Sequence, residues 1–392
     1  MTKFPLEHPP FPPIHINDTD KYALTELADN LTDDMIEDYE KNFYTKRSQV
    51  DPRQWVRVKQ FEDVVVYQDC LDLKERRLSR VNLLRDRDAK RTEVLKLLWA
   101  GTVLGSLDDI MYAVVNCTAE EAKVKAAYVE SNTLDFALLD SIKFPTVDDP
   151  FRSVQVKWAV NGGPAIMRSV VRCRDFVYVE STGMTATSTG ERIGFHLLHS
   201  ITLPGAPDLQ NHKLVRGDLS LFHLYRQKSD GVVEIHVRGF FDLKGDMPLG
   251  VATKLSTSGV VSAWKLGEYA LMKKLHWKLA QRLPIIVPCY PSVCRVCGRG
   301  NMPRRRMCSI CMNQSCARCC VPKKMFFMAA RSRTVVQKAL SVCKRCIQTA
   351  SKANGLDVAL DELSTTGRPH KSYTYPKSAA ASPTTSSSSI VL

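Results

Sequence analysis

The sequence predicts an α+β protein: a curved antiparallel sheet covered by a long helix, followed by a small cysteine-rich unit. Three observations lead there. Apolar and polar residues alternate in several runs between residues 154 and 241. The period then changes to that of a helix from Val260 to Leu283. Nine of the thirteen cysteines fall between Cys294 and Cys346.

The strands come first. Val154, Val156, Trp158 and Val160 alternate with Gln155, Lys157 and Ala159. Ile193, Phe195, Leu197 and Ile201 share one face of the next clear strand; Val215, Leu219, Leu221 and Tyr225 share another. Val233, Ile235, Val237 and Phe241 alternate with Glu234, His236 and Arg238. Period-two patterning describes sheets with one wet face, which antiparallel sheets tolerate better than parallel ones. Val260, Trp264, Leu271, Leu275 and Leu279 then mark an amphipathic helix of about six turns. Shorter helices are expected at Leu107–Val115 and Ala119–Val129.

The ends read differently. Residues 1–18 are a Pro-rich arm without periodicity. Leu24, Leu27 and Leu31, then Met35, Ile36, Tyr39 and Phe43, suggest a helical hairpin interrupted near Asn30–Thr32. Residues 72–93 mix both charges densely, as a solvated helix or linker does, so 19–94 reads as a helical region ending in a charged linker. The Ser/Thr-rich tail over 353–392 is expected to be disordered.

At 392 residues there is room for two or three domains of roughly 100–200 residues each. No apolar run approaches the ~18 residues that a membrane-spanning helix needs. The N-terminus has five prolines in its first eighteen residues and no apolar segment, unlike a secretory signal, so a cytosolic protein is expected. Disulfides rarely persist there, which makes the cysteine cluster a question about metal.

The cysteines form four C-x-x-C pairs: Cys294/Cys297, Cys308/Cys311, Cys316/Cys319 and Cys343/Cys346. Gaps of ten, four and twenty-three residues separate them. Two thiolates at this spacing sit on one tight turn and can share a metal at about 2.3 Å; two pairs complete a closed tetrahedral site, structural and not catalytic. Two zinc ions are expected, with disulfides or an iron–sulfur cluster as the alternatives. Cys320 is a ninth cysteine, a spare thiol or an alternative ligand. Phe326, Phe327 and Met328 with Val335, Val336 and Leu340 are candidates for a small core, so folding of this unit should depend on the metal.

The spacing resembles the FYVE finger, which implies that the pairs interleave. Cys294, Cys297, Cys316 and Cys319 would hold one ion, and Cys308, Cys311, Cys343 and Cys346 the other. Where that family carries R-R/K-H-H-C-R, this chain has Arg304-Arg305-Arg306-Met307-Cys308-Ser309, without the histidines and the last arginine. No Trp or Asp lies in the dozen residues before Cys294, and the last motif is Ser341-Val342-Cys343. Arg304, Arg305 and Arg306 remain as donors for anionic lipid. Between Cys294 and Lys352 there are fourteen Lys and Arg and no acid, which carries the whole net charge of +14. An anionic partner follows, a membrane surface or a phosphoinositide; the competing reading is that these cations neutralise the thiolate sites. Nucleic acid is not expected, since no aromatic residues interleave the arginines. A RING-like ubiquitin ligase is the enzyme alternative, opposed by the absence of a histidine ligand; a protein-docking adaptor with a purely structural finger is another.

The strand-rich body resembles the START lipid-transfer domain over roughly residues 95–283, with 95–285 as the domain and 288–352 as the finger. The matching strings are Arg174-Asp175-Phe176-Val177-Tyr178-Val179, Ser200-Ile201, Arg216, and Asp242-Leu243-Lys244-Gly245-Asp246-Met247-Pro248. The resemblance implies a helix-grip fold whose sheet curls around the long helix and leaves an apolar tunnel for one lipid. Glu180, on a face with Phe176 and Tyr178, and His199, between Leu197 and Ile201, are the polar tunnel candidates. They are equally readable as a rim carboxylate and a hydrogen-bonded core histidine. Glu180 stands where the family often has a tunnel arginine. Gly-x-Ser-x-Gly is absent and no catalytic set is recognisable. The expected protein is a non-enzymatic lipid-binding or lipid-transfer protein, cytoplasmic and peripheral on anionic membranes such as the endosome.

Overall fold

The computed structural model describes residues 3–44, 49–70, 94–163, 168, 171–245, 249–281, 293–300, 304–329, 334–366 and 373. The charged stretch 72–93, residues 246–248, Leu283 and the tail from 374 lie outside them.

The centre is one ten-stranded sheet. Its strands are β1 (Trp55–Phe61), β2 (Val64–Asp69), β3 (Leu95–Leu104), β4 (Thr133–Lys143), β5 (Ser153–Asn161), β6 (Arg174–Ala186), β7 (Arg192–Ser200), β8 (Val215–Arg216), β9 (Asp218–Ser229) and β10 (Val232–Asp242). They run in the order β1-β2-β3-β10-β9-β7-β6-β5-β4, antiparallel throughout, with the short β8 added parallel to the start of β6. The β1–β2 hairpin lies in a segment expected to be helical or linker, and it extends the sheet past β3.

Helices flank the sheet: α1 (Asp18–Tyr39), α2 (Leu107–Val114), α3 (Ala119–Tyr128), α4 (Leu249–Ser256), α5 (Val260–Trp264) and α6 (Leu266–Ala280). Two expectations change here. The N-terminal hairpin is one helix, capped by Asn17, whose side chain accepts the Asp20 N–H, and it ends in a π turn over Glu40–Tyr44. Asn30 stays exposed and Thr32 turns its hydroxyl back to the Ala28 carbonyl at 2.7 Å, so neither residue breaks the helix. The long helix expected from Val260 is two, α5 and α6, broken at Lys265, with α4 ahead of them.

The larger correction concerns the wet face. Both faces of the sheet are covered. Val233, Ile235, Val237, Trp99, Phe176 and Tyr178 belong to the main core, which also holds Ile110 and Met111 of α2 and Leu266 and Tyr269 of α6. The opposite face packs Ile193, Phe195, Leu197, Phe222 and Leu224 under Ala28, Tyr39 and Phe43. Further along it, Trp158, Val160 and Val177 lie under Leu6 and Phe11 of the Pro-rich arm. That arm is therefore packed: the Phe11 ring meets Trp158 edge-on at 5.9 Å, and the Leu6 N–H donates to Asp135 at 2.8 Å. A Pro-rich segment suits this position, because fixed φ angles lower the entropy lost on docking an extended chain.

Covering the second face buries polar side chains that alternation places there. Glu234 accepts from the Tyr39 hydroxyl at 3.0 Å and from Arg226 at 2.8 Å, tying α1 to β10 and β9. His236 sits between the rings of Tyr39 and Phe43, at 5.1 and 4.6 Å. Burial, with the Arg238 charge adding to it, pulls its pKa down to about 3.

In the unfolded chain His236 titrates near 6.5, so below that pH the unfolded state holds the extra proton. Stability present above pH 6.5 is lost as the pH falls towards the folded value. From pH 7 to 5 the loss from this ring is about 2 kcal/mol, at ~1.4 kcal/mol per unit. Urea unfolding at the two pH values should show the wild type losing about that much more than His236→Phe; equal losses would contradict the buried neutral ring.

Candidate functional site

A cavity of about 230 Å³ opens between the sheet and the α4–α5 segment. Its apolar wall is Trp99, Leu198, Leu219, Leu221, Phe241 and Leu243, with Leu255 above. It is smaller than the several hundred Å³ of common ligand pockets, and it lies under α4 and α5, not under α6. Trp158 and Phe195 do not fill it, because they point to the other face of the sheet. Gly259 closes over Trp99 so tightly that a Cβ there would come within 2.9 Å of the indole.

The strand register explains what surrounds the cavity. Ala159 pairs with Phe176 and Lys157 with Tyr178, so Gln155, Lys157, Ala159 and Asn161 face inward; Val160, on the other face, packs with Leu6 and Phe11 of the arm. Glu180 is on this inward face, as expected. It lies outside the cavity lining and is held by Lys157 and, at 2.7 Å, by His196 Nε2. His199 is on the opposite face, paired with Val179 and bonded through Nδ1 to Ser220 Oγ at 3.0 Å. The inward histidine of β7 is His196. Apolar alternation alone took the more apolar Phe195–Leu197 face as the inward one, but α1 covers that face.

Next to the cavity the interior is polar for a structural reason. The last carbonyls of α2 and the turn after it have no helical partner. Lys273 Nζ donates to the carbonyls of Tyr112 and Val115 at 2.6 and 2.8 Å, and Lys125 Nζ to that of Val114 at 3.2 Å. Lys157 Nζ donates to the Asn116 carbonyl at 3.0 Å. Burial, with Lys273 adding to it, brings the Lys125 pKa down to about 7.

The Arg174-Asp175 pair splits across the sheet. Asp175 is buried on the outer face, where it accepts from Trp158 Nε1 at 2.9 Å and from two Arg216 nitrogens at 2.8 and 3.0 Å. This explains why the arginine opening the β8–β9 segment belongs with that motif. Arg174 turns inward and lines the cavity.

The cysteine-rich unit consists of β11 (Arg305–Met307), β12 (Gln314–Cys316), β13 (Cys320–Met328), β14 (Val335–Cys343) and α7 (Lys344–Lys352), followed by α8 (Gly355–Thr366). Its cysteines form two groups of four, Cys294/Cys297/Cys316/Cys319 and Cys308/Cys311/Cys343/Cys346. Pairs one and three, and two and four, come together as the resemblance implied. Within each group the sulfurs lie within 4.8 Å of one another. The Cys297–Cys316 and Cys311–Cys343 separations are both 3.9 Å. Four sulfurs at 2.3 Å from a tetrahedral ion would be about 3.8 Å apart, so the groups fit such an ion. The Cys316 and Cys343 N–H groups donate to Cys294 and Cys308 sulfurs, both at 3.3 Å. Cys320 belongs to neither group and is fully buried.

Arg304, Arg305 and Arg306 are exposed, the last two as neighbours in β11. Adjacent strand residues point to opposite sides. Arg306 also turns its guanidinium onto the Cys320 carbonyl at 3.3 Å.

The expected disorder from residue 353 is overturned for its first part. Helix α8 docks on α2 and α6: Tyr112 Oη donates to Glu362 at 3.1 Å, and Trp277 Nε1 to Asp361 at 2.6 Å. Tyr373 is buried against His276, 4.8 Å between rings. The expected small core of the finger is real but shared: Phe327 and Leu340 pack with Leu275 and Leu279 of α6.

No family model and no curated protein matches the chain in sequence. Among solved structures, human StAR-related lipid transfer protein 5 is similar over 63% of this chain and 99% of that one, with 16% identity and a TM-score of 0.40. Human STARD10 is similar over 61% and 82%, with 17% identity and a TM-score of 0.39. The lipid transfer and protein localization domain of human StarD13 gives 65% and 98%, 11% identity and 0.36. Likenesses of this strength add nothing to the architecture described above. Among the described residues no helix is long and apolar enough to cross a membrane.

Proposed function

We propose that this chain is a non-catalytic, START-like lipid-binding protein in which a FYVE-related finger, closed by two structural zinc ions, is built onto the lipid-binding body. The apolar cavity under α4 and α5 supports this reading most directly. Its volume, below the several hundred Å³ of common ligand pockets, suits a single chain of a hydrophobic ligand better than a whole two-chain phospholipid. The four-thiolate groups leave no open coordination position, so the zinc would organise the chain and take no part in catalysis.

Native mass spectrometry of the full chain purified from cells should show two zinc ions and a small hydrophobic adduct. Ser262→Trp, on the cavity wall, should remove the adduct and keep both ions, whereas Cys308→Ser should lose zinc and Cys320→Ser should keep two. No adduct on the wild type, or an adduct unaffected by Ser262→Trp, contradicts the cavity as the ligand site.

The same reading has the finger meeting anionic membranes by diffuse charge, with little selectivity among phosphoinositides. Fourteen cations and no acid between Cys294 and Lys352 favour it; Arg304 and Arg305 are its exposed contacts. Flotation of the full chain with phosphatidylserine vesicles should show binding that fades between 0.1 and 1 M salt, as the Debye length falls from ~10 to ~3 Å. It should also weaken severalfold in Arg304→Ala/Arg305→Ala. Binding that ignores salt, or at least tenfold selectivity for 3-phosphate over 4-phosphate lipid, contradicts diffuse charge.

A further inference from the structure

One rung of the sheet supplies polar groups to the cavity wall. Thr133 of β4 pairs with Asn161 of β5, and Asn161 with Arg174 of β6; all three line the cavity. Residues directly opposite across antiparallel strands share a face, so the rung forms a continuous polar edge. Arg172 and Asn132 extend it. Apolar side chains make up the other end of the wall, including Trp99, Leu219, Leu221 and Phe241.

The charge on that edge has one sign. Arg172 and Arg174 line the cavity, and no Asp or Glu is among the described residues that do. Arg174 is only 6% exposed. Its hydrogen-bond partners among the described residues are main-chain carbonyls: Nε donates to Leu243 at 3.0 Å, Nη1 to Arg172 at 2.5 Å and Nη2 to Lys244 at 2.9 Å. Gly245, at a φ of +68° that favours glycine, brings the turn against the same guanidinium. A guanidinium has five N–H donors, so one on each terminal nitrogen remains. No carboxylate pairs with Arg174 among the described residues; the neighbouring Asp175 is engaged with Arg216 on the other face. Burial, with the Arg172 charge adding to it, draws the Arg174 pKa down to about 10, which marks the charge as poorly compensated. A third guanidinium, Arg168, lies beside cavity-lining Gly162 and donates to the Gly163 carbonyl at 3.2 Å.

A buried cation without a counter-ion is costly, and an anion that completes its hydrogen bonds recovers that cost. We propose that the cavity takes a single-chain amphiphile with an anionic head, carboxylate or phosphate, whose head pairs with Arg174 and Arg172 on the Thr133–Asn161–Arg174 rung while its chain lies against Trp99, Leu221 and Phe241. This rests on the reading of the cavity as the ligand site and specifies the ligand class. Neutral hydrophobes of the same chain length bind less well, because they leave the guanidinium unpaired.

Three probes with one tail and different heads test it: decanoate, decyl phosphate and 1-decanol, titrated calorimetrically into the full chain after removal of co-purified ligand. At least one anion binds tenfold or more tightly than decanol, and comparison of the two anions identifies the head that fits. Arg172→Gln, at an exposed position whose loss the fold tolerates, cuts the anion preference at least threefold and leaves decanol unchanged. Equal binding of anions and decanol overturns the head-group inference and leaves the hydrophobic cavity standing. An anion preference untouched by Arg172→Gln overturns the placement of the head. Failure of all three probes to bind overturns the cavity as a ligand site altogether.

Discussion

Helix α6 is packed on both sides. Leu266, Tyr269, Ala270 and Met272 belong to the core beneath the sheet, while Leu275 and Leu279 belong to the core of the cysteine-rich unit. His276 meets Phe327 at 4.9 Å and Tyr373 at 4.8 Å. Its two buried lysines are satisfied as well: Lys273 caps the carbonyl end of α2, and Lys274 bridges Asp109 at 2.7 Å and the Ala353 carbonyl at 2.7 Å. Favourable charge at a helix C-terminus and filled carbonyls make these burials tolerable. A helix buried over most of its surface must be enclosed by neighbours, and here one neighbour is the finger. The two cysteine groups, α8 and the lipid-binding body are thus joined through one wall.

The cavity follows from where that wall stops. No residue of α6 lines it. The break at Lys265 hands the covering role to α5, α4 and the turn between them, whose small residues Ser262, Ser256 and Gly259 line the cavity where larger ones would fill it. On the other face of the sheet, α1 and the Pro-rich arm hold the strands through Tyr39–Glu234–Arg226 and the contacts of Leu6 and Phe11. The Arg174-Asp175 pair shows the consequence: one residue secures the outer face through Arg216, and its neighbour is left to face the cavity.

Much of this was legible in the residues. The period-two runs locate β5, β7, β9 and β10, and the short helices α2 and α3 fall within a residue of where periodicity puts them. The grouping of the cysteines followed the resemblance, since spacing alone leaves the pairing of pairs open. What could not be read was which face of each strand is inside. Alternation defines two faces, but when a helix and an arm cover the second, both are buried, and Phe195 and Leu197 look as internal as Leu198. That is why His199 was expected in place of His196. The β1–β2 hairpin is short and its outer valines are exposed, and α8 begins among small residues beside a Ser/Thr-rich tail, so neither carries a strong local signal. The break at Lys265 carries no proline and no side-chain cap to announce it.

The shared wall is tested most directly by hydrogen exchange of the amides of residues 266–280 in the full chain, before and after metal is removed with a chelator. If α6 is held from both sides, metal removal unpacks Phe327 and Leu340 from Leu275 and Leu279, and exchange in the second half of the helix rises by at least tenfold. Unchanged exchange there, with the finger's own amides fully exposed, would show that the finger is an independent appendage and contradict the joined architecture.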